Sequence, residues 1–568
     1  MNPALCTTQF HNYAPAILAR LASFKDQSVI NRVFKKDHSV WSESPVEITN
    51  RLGWLDCPEV TRAAVADILD FVRQIRGEGF KTVLLLGMGG SSLAPEVFSL
   101  AFGTKPGYLN GQVLDSTDPG AVLEKARGLN PAETLYIVST KSGGTVETLS
   151  FAKYFYNHVT DALGKEQGAR HFAAITDPGS GLEDFAKSLN FRKIFLNDPN
   201  IGGRYSALSL FGIVPAALLG IDIAALLDGA DAMLEEIKSP ADTANTAALL
   251  GAAMGELALA GIDKISFITS PSLACFGPWV EQLIAESTGK EGKGVLPVEG
   301  EPVAAPDSYR SDRFFVYLRL QSEDPHRSAF DELSKAGIPG AEIVLSSLNQ
   351  IGAEFLRWEM ATALSGVVLG IQPFDQPNVE SAKIAARAMV KAYQESGSLP
   401  ALNPVHADSG VSVYGTVAGD SVEACFNQFV EESLKAIEKP VPYISLQAYL
   451  TPGKQIEESL GLLRTALFNK YGVAVTVGFG PRFLHSTGQL HKGDAGNGVF
   501  IQFTADMSED TPVPDNPGSP VSGISFGILK MAQSLGDREA LLGNNRKLLR
   551  IHYHTDPVTG ISKLANSI

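Results

Sequence analysis

The chain has 568 residues, more than one hydrophobic core comfortably holds, so two or three domains of ordinary size are expected. Hydrophobic residues at 44% and charged residues at 19% are ordinary globular values, which exclude a disordered, coiled-coil or collagen-like chain. Lys plus Arg number 47 against 62 Asp plus Glu, a formal charge of −15 that repels nucleic acid and anionic membranes, so any anionic ligand must be held by local donors.

Cys6, Cys57, Cys275 and Cys425 are widely spaced and form no C-x-x-C pair, which argues against a zinc site or a disulfide framework and fits a cytoplasmic protein. The first residues, MNPALCTTQFHNYAPAILARLASF, lack the uninterrupted apolar core of a signal peptide. The most apolar stretch, Ala207 to Leu227, is interrupted by Pro215 and Asp222 and reads as buried helix rather than a membrane span.

In chain order, residues 1–55 read as an N-terminal extension, a surface cap without a functional motif. From about residue 60 the pattern becomes apolar strand, glycine-rich turn and amphipathic helix, with strands in KTVLLLGMGG (81–90), TLYIVST (134–140) and FAAIT (172–176). Strands apolar throughout, rather than alternating, suit a parallel sheet covered on both faces, so residues 56–237 are expected to form a first three-layer αβα domain. KISFITS (264–270), DRFFVYLRL (312–320), EIVLSS (342–347) and the helical 352–369 predict a second domain of like architecture over 238–437, without a detectable sequence repeat. Residues 438–568 predict a C-terminal α/β extension, with a helix over 454–470, strands in YGVAVTVGFG (471–480) and VFIQFTA (499–505), and an exposed proline-rich loop, DTPVPDNPGSP (510–520).

The turn GMGGSS (87–92) follows one strand directly and opens a helix. Glycines there let backbone N–H groups approach an anion, with Gly90 and Ser91 as natural contacts, although a tight packing turn looks the same. The later strand ends in STKSGGTVET (139–148), where Thr140, Ser142, Thr145 and Thr148 offer hydroxyls beside Lys141; an N-cap at Thr145 is the plainer alternative. Two such turns ending consecutive strands of one sheet can converge on one phosphate.

GMGGSSL followed by STKSGGTVET resembles the sugar-isomerase (SIS) phosphate-binding domain, and specifically the phosphoglucose isomerase family. NIGGRYSALSLFG (200–212) resembles a signature whose arginine, here Arg204, helps to stabilise an enediol-like intermediate. EQLIAESTGK (281–290) resembles the segment with the catalytic glutamate, Glu286, and a glutamine, Gln282, one turn earlier. GIQPFDQPNVESAK (370–383) resembles a second signature, whose glutamine, Gln376, lines the sugar site and whose lysine, Lys383, assists ring opening. The similarity is strongest to the isomerase half of transaldolase–isomerase fusions, with no transaldolase half recognised here. The resemblance implies two SIS-type domains and reversible isomerisation of glucose 6-phosphate and fructose 6-phosphate without metal or cofactor. A small-molecule sugar phosphate is the expected partner, and homodimer formation is left open.

Moving a carbonyl between C1 and C2 requires removing a carbon-bound proton and returning it to the neighbouring carbon, which one carboxylate can do. Gln282 and Glu286 are four residues apart and share a helix face. Arg204 follows two glycines and supplies a fixed charge for a developing oxyanion, unless it serves only a structural ion pair. Lys383 lies on the same side as Gln376 of a helix beginning near Val379, where a surface lysine would look alike. The family's ring-opening histidine normally falls between the glutamate and the second signature, where this chain has only His326, in the charged turn QSEDPHRS, read as surface. GFGPRFLHSTGQLHKGDAGNG (478–498) contains a run similar to the family's Q-L-x-H-x-G. The C-terminal extension is therefore expected to fold onto the site, with His485 or His491 as acid/base group. His552 and His554 in IHYHTDP read as a structural strand pair without an acidic partner nearby. Competing functions are a combined phosphoglucose/phosphomannose isomerase, a non-catalytic sugar-phosphate-binding regulator and, more distantly, a nicotinamide dehydrogenase using Asp115. The last would want a complete G-x-G-x-x-G, which this turn does not supply.

Overall fold

The computed structural model describes residues 5–568, which begin with a short strand, β1 (Leu5–Gln9), whose partner comes much later in the chain. The first sheet follows, with β2 (Thr82–Gly87), β3 (Asn110–Leu114), β4 (Thr134–Ser139), β5 (Phe172–Thr176) and β6 (Lys193–Leu196) in the order β3-β2-β4-β5-β6, all parallel. The continuous burial of β2, β4 and β5 is what helices on both faces require. The edge strands β3 (NGQVL) and β6 (KIFL) escaped the sequence reading because they are short and half-exposed, and therefore carry no long apolar run. The two hydroxyl- and glycine-rich turns thus end strands that neighbour in space but not in sequence, since β3 lies between them along the chain.

The second sheet contains β7 (Lys264–Thr269), β8 (Leu296–Val298), β9 (Arg313–Leu320) and β10 (Gly340–Leu345) in the order β1-β10-β9-β7-β8, parallel except for β1. The third contains β11 (His406–Ala407), β12 (Val411–Tyr414), β13 (Tyr443–Tyr449), β14 (Ala474–Phe479) and β15 (Gly498–Ala505). A hairpin of β16 (Pro512–Val513) and β17 (Ile524–Ser525) brackets most of the proline-rich loop, and β18 (Lys547–Tyr553) completes the sheet in the order β11-β12-β18-β15-β13-β14. In all three sheets the first parallel strand lies between the second and the third, with the fourth beyond. That order reverses direction between the first and third strands, and ligands of such sheets bind where the carboxyl ends of those two strands diverge. Among the described residues no helix is long and apolar enough to cross a membrane, and the stretch from Ala207 forms the buried helices Leu210–Leu218 and Ile223–Ile237.

Residues 5–55 are not a surface cap. β1 adds an antiparallel edge to the second sheet, Ile17, Leu21, Phe24, Val33, Ile48 and Trp54 are buried in the largest core, and the Trp41 indole donates to the Ala363 carbonyl at 2.8 Å. The sequence hid this because β1 (LCTTQ) is a polar edge strand whose partner lies more than 300 residues away. The first two sheets share that core, whereas the third builds its own around Ile444, Leu446, Ile501 and Leu549.

The third unit is held to the first by polar contacts as well as by packing. Lys530, on the helix Phe526–Gly543, reaches Asp118 at 2.7 Å with both side chains buried, and Thr117 donates to Gln533 at 2.8 Å. Removing one member of a buried ion pair strands the other charge. Lys530→Met should therefore destabilise the protein by roughly 3–5 kcal/mol, seen as a lower urea midpoint, and adding Asp118→Asn should recover most of the loss. An unchanged midpoint in the single variant would show that this contact does not hold the units together.

Candidate active site

At the carboxyl ends of β2 and β4, the switch point of the first sheet, lies a cleft of about 480 Å³. The glycines of the β2 turn are there for close approach. Gly89 has φ +54°, and a Cβ on it would stand 2.8 Å from Gln282 Nε2 and 3.0 Å from the His485 carbonyl oxygen. A Cβ on Gly90 would overlap the Gly203 carbonyl, next to Arg204. Both turns face this cleft, and the Ser139 hydroxyl, donating to the Ser91 carbonyl at 3.3 Å, ties them together.

In the β4 turn, Thr145 occupies the N-cap of the helix Val146–Leu163 but makes no capping bond; its hydroxyl is 3.0 Å from that of Thr140. Ser142 accepts from the Gly144 N–H at 3.2 Å, and Thr148 presents a buried hydroxyl without a protein partner. Lys141 also lines the cleft, but its ammonium is committed to an ion pair with Asp177 and to the Pro199 carbonyl at 2.7 Å.

Across the cleft, the helix Phe276–Thr288 presents Gln282 and Glu286 on one face. Gln282 Nε2 donates to Glu286 Oε2 at 3.3 Å and to the His485 carbonyl at 2.6 Å. Arg204 is only 4% exposed and nearly saturated: Nε donates to Ser287 at 2.8 Å, Nη1 to Gln376 at 3.1 Å, and Nη2 to the carbonyls of Pro373 and Asp375 at 2.6 and 3.0 Å. Its Nη1 stands 3.6 Å from Glu286 Oε1, whose side chain is 15% exposed and faces the cleft. Gln376 and Lys383 also line it, Lys383 from the helix Val379–Ser396 and half-exposed.

The third unit supplies His485. The short 3-10 turn Arg482–His485 is anchored by Arg482, which pairs with Glu96 and, at 3.2 Å, with Asp115. His485 Nε2 is 2.9 Å from Glu147 Oε1, which also accepts from Gln533 at 2.6 Å. Burial alone would raise the Glu147 carboxyl, but the charge and hydrogen bond of His485 outweigh it and hold the carboxyl below its ordinary value. The contact with Glu147 fixes how the His485 ring is oriented. His491 does not line the cleft. It is buried between Phe483 and Phe500, with Nδ1 3.4 Å from Gln447, and burial, with Lys492 nearby, drives its pKa well below the ordinary range.

Three contributors were missed in the sequence. Glu147 sits inside STKSGGTVET but reads as a plain first-turn glutamate, and Arg51, which lines the cleft, falls in the supposed cap. Lys290, the last residue of EQLIAESTGK, is buried and donates to the Asp375 carbonyl and carboxylate at 2.6 and 2.7 Å, fixing the loop that carries Gln376. Asp115 is spent on Arg482 and Ser92 rather than facing a ribose site, and His326 is half-buried beside Tyr317 at the start of a helix. His552 and His554 do have an acidic partner, Asp506, which lies far away in sequence but on the neighbouring strand's end.

Burial, and then the neighbouring Arg204 charge, pull the Lys290 ammonium from 10.5 down to about 8. Between those values the unfolded chain holds a proton that the folded chain lacks, so the stability owed to this group rises with pH across that window. The urea midpoint of the wild type should therefore gain on that of Lys290→Met between about pH 7.5 and about pH 9.5. Midpoints that keep a constant separation would contradict the depressed value.

The family model for phosphoglucose isomerase matches residues 64–296, which include both turns, Arg204 and Glu286. Glucose-6-phosphate isomerase of Rubrobacter xylanophilus is 30% identical over 386 residues, 58% of this chain and 87% of that protein. Glucose-6-phosphate isomerase of Thermosynechococcus vestitus is 31% identical over 395 residues, 59% of this chain and 73% of that protein. Among solved structures, a hypothetical protein of Thermus thermophilus superposes with a TM-score of 0.58 at 25% identity, covering 68% of this chain and 99% of its own. A glucose-6-phosphate isomerase of Chlamydia trachomatis superposes with a TM-score of 0.57 at 21% identity, covering 67% of this chain and 86% of its own, and shares the fold. Identity of this order over most of the Rubrobacter protein's length reflects common descent, and the chain belongs to the phosphoglucose isomerase family.

Proposed function

We propose that the chain is a glucose-6-phosphate isomerase, interconverting glucose 6-phosphate and fructose 6-phosphate by proton transfer through an enediol intermediate. The observation that carries this reading is the pairing of Glu286 with Arg204, a carboxylate and a buried guanidinium 3.6 Å apart across from two hydroxyl-rich turns. Ser91, Ser142, Thr145 and Thr148 hold the phosphate with directional donors. The buried orphan hydroxyl of Thr148 suits that role.

With the phosphate anchored, the sugar extends toward Gln282, Gln376 and His485. Ring opening transfers a proton from O1 to O5, a task for an imidazole whose orientation is set by Glu147, with Lys383 beside it. Glu286 then removes the proton from C2 as the C1 carbonyl takes up negative charge, and Arg204 stabilises that oxygen. Protonation of C1 by the same carboxylic acid, with the O2 proton shifting to O1, gives the ketose. Each step is a proton transfer, so the chemistry asks nothing of a metal or nucleotide. A catalytically silent sensor would have no use for this combination of base, guanidinium and oriented imidazole. Four free cysteines and a phosphorylated metabolite fit work in the cytoplasm.

A coupled assay on both sugar phosphates should find activity that persists in EDTA. Glu286→Gln should lower kcat by at least about a hundredfold while phosphosugar binding persists. His485→Ala should be impaired on cyclic glucose 6-phosphate and spared on an open-chain analogue. Near-normal turnover by Glu286→Gln, or activity lost to chelation and restored by one metal, would overturn the mechanism.

A further inference from the structure

Among the described residues, Asp506, His552 and His554 place three ligand atoms within 4.8 Å of one another, and none of the three lines the catalytic cleft. The placement follows from the third sheet. β15 and β18 run parallel with Thr504 opposite His552 and Ala505 opposite Tyr553, so Asp506, one residue past β15, meets the end of β18. Asp506 Oδ1 stands 3.0 Å from His552 Nε2, and Oδ2 stands 3.0 Å from His554 Nδ1.

The remaining ring nitrogens are also placed. His552 Nδ1 is 2.8 Å from the Thr504 hydroxyl, and His554 Nε2 is 3.0 Å from the Ser412 hydroxyl on β12. A second partner on the distal nitrogen is what orients metal-binding imidazoles and directs the free lone pair inward. Adjacent donors around an ion at bond lengths of about 2.0–2.2 Å stand about 3–3.5 Å apart, and each imidazole here has a carboxylate oxygen of Asp506 at 3.0 Å. Two imidazoles and one carboxylate select a transition ion such as Zn²⁺ or Co²⁺ over Mg²⁺ or Ca²⁺.

The surroundings allow access. The Asp506 side chain is 62% exposed and that of His554 38%, so the cluster opens to solvent on one side. One of its members also borders the place where ligands of this topology bind. The carboxyl ends of β13 and β15 are the switch point of the third sheet, and Asp506 lines the cleft of about 480 Å³ there, together with Thr451, Met507, Lys530 and Thr555.

We propose that Asp506, His552 and His554 form a site for one divalent transition-metal ion, with its remaining coordination positions open to solvent. The ion would join the segment after β15 to the ends of β18 and β12, stabilising the third unit. The proposal does not rest on the isomerase reading.

The full-length protein, stripped with EDTA and dialysed, is titrated with Zn²⁺ in a calorimeter and with Co²⁺ by visible absorption. One saturable equivalent is expected, with a rise in Tm on Zn²⁺ addition. Asp506→Asn and His552→Ala should each weaken binding at least about tenfold, the loss that even an outer-shell partner causes, and should abolish the Tm rise. His554→Ala, at an exposed strand end, repeats the test where a folding defect is least expected. Absence of saturable binding by the wild type, or equal affinity in Asp506→Asn and His554→Ala proteins that retain the wild-type circular dichroism spectrum, overturns the proposal.

Discussion

A buried guanidinium has to be hydrogen-bonded on every side that water cannot reach, and Arg204 meets that requirement with groups from two separate parts of the chain. Ser287 comes from the helix that carries Glu286, while Gln376 and the carbonyls of Pro373 and Asp375 come from the loop before Lys383. Leaving any of these donors unmatched would cost a few kcal/mol, so the charge dictates where Glu286 and Gln376 sit. Lys290 reinforces the arrangement by binding the same Asp375. What remains of the guanidinium's field points toward Glu286 and the cleft beside it.

The glycines of the first turn perform the complementary task. Gly89 and Gly90 give up side chains so that Gln282, the His485 carbonyl and the Gly203–Arg204 backbone can press against the end of β2. The glycine-rich turn, Glu286 and His485 are thereby brought within one small cleft, though they belong to different units. The imidazole comes from the third unit, whose repeated strand order leaves a turn after β14 free to reach the first sheet, with Arg482 as its anchor on Glu96 and Asp115.

Much of this was legible in the sequence. The uniformly apolar β2, β4, β5, β7 and β9 announced parallel sheets, and Gly90, Ser91, Arg204, Gln282, Glu286, Gln376 and Lys383 stood in motifs whose spacing could be matched. What escaped notice depends on contacts that local pattern does not encode. The strands β1, β3 and β6 are short edges, and the N-terminal residues are buried only because a distant sheet receives them. Glu147 acquires significance from a histidine 338 positions later, and the choice between His485 and His491 turned on which way a turn and a short helix face. Asp506 could not be tied to His552 and His554 without knowing that β15 and β18 are neighbours.

The central claim is that Glu286 carries a proton between C2 and C1. Because a carboxylic acid exchanges its proton with water, isomerisation in D₂O followed by NMR of the recovered sugar phosphates tests it most directly. The account predicts deuterium from solvent at C2 of glucose 6-phosphate and at C1 of fructose 6-phosphate, with incorporation falling in Glu286→Gln in step with turnover. Rapid isomerisation with no solvent deuterium at either carbon, even after many turnovers, would contradict it.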